Sequence, residues 1–155
     1  MSSSTLSRVA VAAAVAGALV LVWGFALDDP GIVVPDDPCA ERPPLRSVAG
    51  VRLQPLALRA FRHAERLAGR RIDVVESYRS CRRQAAACKS ICGSPGGCPG
   101  TCASPGASAH QLGAAVDVTE AMLDQPTVID ALGRAGWCQP LPGSDPGHFS
   151  FGGCR

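Results

Sequence analysis

The sequence predicts an α+β domain: a small antiparallel sheet with helices packed on one side, the whole braced by disulfides. Three observations point there. Segments with helical apolar spacing alternate along the chain with β-branched segments suited to strands. Aromatic residues make up only 5% of it, while Gly and Pro number 17 and 13, so the core is modest. Eight cysteines follow the first hydrophobic run, an even set that suits four cross-links.

The elements follow in order. Residues 9–27 are apolar without interruption, preceded by Arg8 and followed by Asp28 and Asp29. Such a run is an export signal or a single membrane-spanning anchor. Its length, and its Trp23-Gly24-Phe25-Ala26-Leu27 end where cleavage needs small residues, favour the anchor. Arg8 then keeps the N-terminus cytoplasmic, and the rest of the chain lies outside, where disulfides persist.

Residues 28–44 are rich in Pro and Asp with no apolar period and read as an extended linker. Folding is expected to begin near Cys39, and the domain to occupy 45–155. Gln54 and Pro55 open a helix in which Leu56, Ala60, Phe61, Ala64 and Leu67 recur at helical spacing and which stops at Gly69. The β-branched stretch 72–77 suits a strand, and 79–89 a helix.

Between 90 and 107 the chain is dense in Gly, Pro, Ser and Cys and cannot build a core. It reads as a cross-linked loop, with the cysteine-rich part over 88–104. A strand over 114–118, a helix over 126–134 and a short strand over 148–151 complete the pass. The net charge of +2 gives no electrostatic case for nucleic acid, and a monomer is expected.

His110, Asp117 and His148 are residue types that suit zinc, and three protein ligands plus one open position make a catalytic zinc site. His110 and Asp117 belong to Ser108-Ala109-His110-Gln111-Leu112-Gly113-Ala114-Ala115-Val116-Asp117, where Gly113 allows a close turn before a strand. His148 opens another strand. Hydrolysis at such a metal also needs a base, and Asp145, three residues before His148, is the candidate.

These residues resemble the zinc D-alanyl-D-alanine carboxypeptidases, the VanY-like peptidoglycan peptidases, with their S-x-H-x-x-G-x-A-x-D motif and a downstream acid-x-x-H. Ser108, His110, Gly113, Ala115, Asp117, Asp145 and His148 carry the match. Upstream, Glu76-Ser77-Tyr78-Arg79-Ser80 with Gln84 resembles the family's S-x-R-S-x-x-x-Q element. The resemblance covers about residues 51–151.

It implies a hedgehog/DD-peptidase-like fold, zinc on His110, Asp117 and His148, Asp145 as base, Arg79 on the substrate near the scissile bond, and Ser108 as a substrate contact. The substrate it implies is a peptidoglycan stem peptide, cut at its terminal D-alanyl-D-alanine. Many of these carboxypeptidases carry Glu and Trp before the last histidine, where this chain has Asp145 and Gly147. That departure resembles the L-alanyl-D-glutamate endopeptidases, so a cut elsewhere in the stem or in a cross-link is an alternative.

Two further readings stay open. The chain could be a wall-binding module that keeps the metal without turnover. Cys88, Cys92, Cys98 and Cys102 could hold a structural zinc, although export favours disulfides. Cys138 with Cys154 would flank the last ligand segment. Ser77 and Gln84 are read as orienting residues outside the site, Trp137 as core or pocket wall, and His63 as surface.

Overall fold

The computed structural model describes residues 31–153. The apolar run 9–27 and Cys154 lie outside them. Among the described residues no helix is long and apolar enough to cross a membrane.

The described residues begin without helix or strand but are tied down early. Gln54, almost wholly buried, accepts the Val33 N–H (2.7 Å) and donates to the Val33 carbonyl (2.7 Å). Cys39 is bonded to Cys81. A hairpin follows, β1 (Arg46–Val48) and β2 (Val51–Leu53), turned by Ala49 and Gly50, both at positive φ. Its three-residue strands are too short to show alternation, and the sequence reading missed it.

Helix α1 (Pro55–Ala68) starts on the proline, whose missing N–H costs nothing at a helix start. It ends at Gly69, which adopts the left-handed conformation of a C-terminal stop (φ 66°). Its fully buried face is Ala57, Leu58, Phe61 and Ala64. The expected stripe was rotated slightly from this: Leu56, Ala60 and Leu67 sit at its margins, half-buried.

Strand β3 (Val74–Glu76) is shorter than expected, and α2 (Cys81–Cys92) begins two residues later than read. Ser80 caps α2, its hydroxyl accepting the Arg83 N–H at 3.5 Å. Strand β4 (Ala115–Val118), the single-turn α3 (Glu120–Leu123), α4 (Pro126–Arg134), β5 (Trp137–Cys138) and β6 (His148–Phe151) follow. Helix α4 and β6 have the expected bounds, whereas α3 and β5 were not anticipated.

Strands β3, β4, β6 and β5 form one antiparallel sheet in that order. Successive side chains on a strand point to opposite faces. One face sends Val116, Val118 and Phe149 into the core against Phe61, Leu132 and Trp137. Trp137 is a core aromatic, edge-on to Phe61 at 6.0 Å between centroids. The other face carries Asp117 and His148, directly paired across β4 and β6, with Glu76 opposite Asp117 on β3.

The loop after α2 is cross-linked as expected. Cys88 pairs with Cys102 and Cys92 with Cys98, so these four cysteines are disulfides, not metal ligands. The pairing of Cys138 with Cys154 falls partly outside the described residues.

Gly113 precedes β4 at φ +64°, and a Cβ there would stand 2.5 Å from Leu45 Cδ2 and 3.1 Å from the Gln54 backbone nitrogen. That nitrogen donates to the Gly113 carbonyl at 2.9 Å. Gly113→Ala is therefore expected to cost about 1–3 kcal/mol through a strained backbone, measured as a drop in the urea midpoint with an unchanged m-value.

Candidate metal centre

The centre is assembled from three pieces of chain. The β4–β6 pairing sets Asp117 beside His148, and the turn 108–113 brings His110 over them. That turn is closed by backbone bonds from Gln111 to Ser108 (3.0 Å) and from Gly113 to His110 (3.1 Å). Gln111 is buried and reinforces it: its side-chain oxygen accepts the N–H groups of Gly106 (2.7 Å) and Ser108 (3.3 Å), and its amide reaches Cys81 Sγ.

His110 Nε2 lies 3.1 Å from Asp117 Oδ1, His148 Nδ1 lies 2.9 Å from the same oxygen, and the two ring nitrogens are 3.1 Å apart. Tetrahedral zinc with bonds of about 2.0–2.1 Å spaces its ligand atoms about 3.3 Å apart. The triangle thus has the size of one face of a zinc coordination sphere.

The outer atoms of both rings are engaged. His110, 3% exposed, donates from Nδ1 to the Ser77 carbonyl at 2.6 Å, which leaves the Nε2 lone pair facing Asp117. His148 Nε2 lies 3.1 Å from the Ser150 hydroxyl; with the hydrogen on Nε2, Nδ1 is left as the inward lone pair. Such outer partners set the tautomer of metal-ligating histidines. Two lone pairs and a carboxylate oxygen then converge on one point, a donor set that only a cation satisfies, and the residues fit zinc.

Burial pushes the Asp117 carboxyl up, but without a metal the two rings can be protonated toward it, and their hydrogen bonds and charge then outweigh burial and hold the acid well below the usual carboxylate range; with both rings neutral, a bound cation would take over that role. Asp117 is therefore ionised at any pH above about 4, the unperturbed value. A depressed carboxyl adds stability that is present above its unfolded pKa and fades only as pH falls through the lower folded value. Asp117 does not limit the site between neutrality and mild acid.

Arg79 follows β3 and is held on four sides. It donates to Glu76 from Nε (2.8 Å) and Nη2, to Gln84 from Nη1 (3.0 Å), and to the outer oxygen of Asp117 from Nη2 (3.4 Å). Arg83 also pairs with Glu76, at 2.8 Å. Gln84 in turn donates to the Ala103 carbonyl (2.8 Å) in the cross-linked loop. Ser77 accepts the Arg52 N–H on its hydroxyl (3.0 Å), so the segment bearing Arg79 is pinned to β2.

Arg79, Ser108, His110, Asp117, Asp145 and His148 all line one cleft of about 660 Å³, with Thr101, Ala103 and Ala107 of the cross-linked loop forming a wall. Asp145 sits exposed in the turn before β6; its backbone bonds to Leu141 (2.8 Å), and its carbonyl accepts the His148 N–H (3.2 Å). Ser108 is buried at the cleft floor.

Sequence reasoning missed Ser150. The signal was available: in the alternating strand 148–151 it lies two residues from His148, on the same face. Glu76 was noted in its motif but given no role. Ser150→Ala is expected to weaken zinc binding about 10–100-fold, measured by competition with a chromophoric chelator.

A sheet with one face on helices and the other bearing a His-Asp-His donor set in a cleft, with an acid beside it, belongs to the zinc hydrolases. The family model described as VanY, D-alanyl-D-alanine carboxypeptidase, matches residues 53–135, more than half of the chain. The chain belongs to that family. The match includes Arg79, Ser108, His110 and Asp117 and stops before Asp145 and His148.

Among solved structures the fold is similar to VanYB in complex with D-alanine-D-alanine (TM-score 0.51, 20% identity, covering 71% of this chain and 77% of that one). It is also similar to a mutant of the vancomycin-resistance D,D-pentapeptidase VanY in complex with Zn(II) (TM-score 0.54, 20% identity, 74% and 82% covered). The LdcB LD-carboxypeptidase, a peptidoglycan-recognising enzyme, is a third (TM-score 0.51, 21% identity, 79% and 68% covered). No curated protein sequence matches.

Proposed function

We propose that this chain is a zinc D-alanyl-D-alanine carboxypeptidase acting on peptidoglycan stem peptides, tethered on the outer side of a membrane by residues 9–27. The observation that carries the reading is the convergence of His110 Nε2, Asp117 Oδ1 and His148 Nδ1 at 2.9–3.1 Å, in a cleft that Asp145 and a fixed arginine also line.

Zinc held by these three atoms would supply the Lewis acidity that activates water and polarises a carbonyl. Asp145 takes the proton of the attacking water and returns it to the departing amine. Its exposure suits this, since no side-chain bond among the described residues holds its carboxylate elsewhere.

Arg79 serves both centre and substrate. Its bond to the outer oxygen of Asp117 orients that carboxylate. One Nη1 hydrogen remains for the carbonyl or terminal carboxylate of the stem, at a guanidinium already fixed by Glu76 and Gln84. Ser108 offers its hydroxyl from the cleft floor.

The test is to incubate the zinc-loaded, oxidatively folded chain with a pentapeptide-stem muropeptide and weigh the products. Loss of one D-alanine, abolished by chelation and restored by zinc, is expected. A cut elsewhere in the stem would move the chain to the endopeptidases. Bound zinc without any product would leave a wall-binding module.

A further inference from the structure

A second depression is larger than the cleft. It is a groove of about 1090 Å³ on the helix side of the sheet, between α1, β1 and the end of α4. Arg46, Arg59, Arg62, Arg66 and Arg134 line it with His63, and among the described residues no aspartate or glutamate does, although Arg59 is itself engaged. Arg59, Arg62 and Arg66 fall at i, i+3 and i+7, one stripe of α1. Of the nearby acids, Glu65 is bound to Arg71 at 2.7 Å, outside the groove, while Asp130 pairs with the groove's Arg134 at 3.5 Å, which leaves the five arginines in excess.

The groove and the cleft occupy opposite faces of one sheet. On β6, Phe151 lines the groove while its neighbour Ser150 lines the cleft, as alternation requires. The described chain also enters beside the groove: Ile32 packs on the core margin, and a Cβ on Gly152 would meet it at 4.0 Å. Four residues, 28–31, separate Leu27, the end of the apolar run, from Ile32, a path of five Cα–Cα steps. Five such steps reach about 18 Å at most.

We propose that the arginine face of α1 is a second docking surface, seated on anionic phospholipid headgroups, which holds the domain with its cleft turned away from the membrane. The short reach from the apolar run brings this face to the bilayer, and its excess of positive charge, above all at Arg46, Arg62 and Arg66, complements phosphate. Each arginine near an anionic surface strengthens binding roughly fivefold, and the attraction weakens with salt. The site on the other face is then left open to the wall. This inference rests on the anchored reading of residues 9–27 and is independent of which bond the cleft cuts.

The experiment is arginine labelling by phenylglyoxal of the full chain in vesicles of phosphatidylglycerol or of phosphatidylcholine, read by peptide mass, after flotation in high salt. The chain is expected to float with both vesicles. Arg46, Arg62 and Arg66 should react several-fold more slowly with phosphatidylglycerol, and Arg82 on α2 equally in both. High salt should remove the protection. The combined Arg46→Gln, Arg62→Gln and Arg66→Gln variant should still float, release D-alanine at the parent rate, and lose the protection of Arg59 and Arg134.

Equal labelling in the two vesicles overturns the docking surface alone. So does slow labelling in both, which would mean that the chain's own N-terminal residues fill the groove. Protection that includes Arg82 would mean unspecific adsorption and overturns it too. A chain that fails to float with either vesicle overturns the anchor and the docking surface together, leaving the peptidase reading to the muropeptide assay.

Discussion

Asp145→Asn is expected to lower kcat by about 10²–10⁴-fold, the usual worth of a positioned general acid–base group, with zinc content unchanged. Asparagine keeps the size of the side chain but can neither take a proton from water nor return it to the leaving amine. The turn that carries residue 145 is held by backbone bonds, Asp145 to Leu141 and His148 to Asp145, and the substitution leaves both in place. His148 should therefore keep its position. Parallel zinc analysis and steady-state kinetics separate the outcomes: a variant that loses its zinc assigns Asp145 to holding the metal segment, and one with parental kcat removes it from the reaction.

The second large effect is expected at Asp117. Its inner oxygen is the point where both histidines meet, 3.1 Å from His110 and 2.9 Å from His148, and its outer oxygen is bound by Arg79. Asp117→Asn removes the only negative charge among the three donors and places an uncharged amide beside a fixed guanidinium. Zinc affinity should fall by more than the 10–100-fold that loss of an outer partner costs, and D-alanine release should drop to the level of the chelated parent. The measurement is metal content after gel filtration at low free zinc, beside the mass assay. Ser150→Ala, which touches only the outer side of His148, should lose less and recover in excess zinc.

Much of this was legible in the residues, and the reason differs by element. Helix α4 and strand β6 have the expected bounds because each carries its own signal: Pro126 opens the helix, and the alternation of His148-Phe149-Ser150-Phe151 defines a strand with two faces. The hairpin of β1 and β2 was hidden, since strands of three residues are too short for a period and Ala49, unlike Gly or Asn, does not announce a positive φ. Strand β5 has only two residues.

At the site, the residue types and the family resemblance pointed to Arg79, Ser108, His110, Asp117, Asp145 and His148, and all six line one cleft. What spacing could not supply is the outer support. Ser77 holds His110 through a backbone carbonyl, which any residue would provide, and Gln54 reaches Leu112 and Gln111 reaches Cys81 across segments far apart in sequence. The pairings Cys39–Cys81, Cys88–Cys102 and Cys92–Cys98 likewise depend on which turns meet in space.

The most direct test of the metal centre is an X-ray absorption spectrum at the zinc edge of the loaded, oxidised chain. Ligation by His110, Asp117 and His148 predicts nitrogen and oxygen scatterers at about 2.0–2.1 Å, with the outer-shell pattern of two imidazoles and no sulfur. Sulfur at about 2.3 Å, or a spectrum unchanged by Asp117→Asn with zinc still bound, would contradict the account.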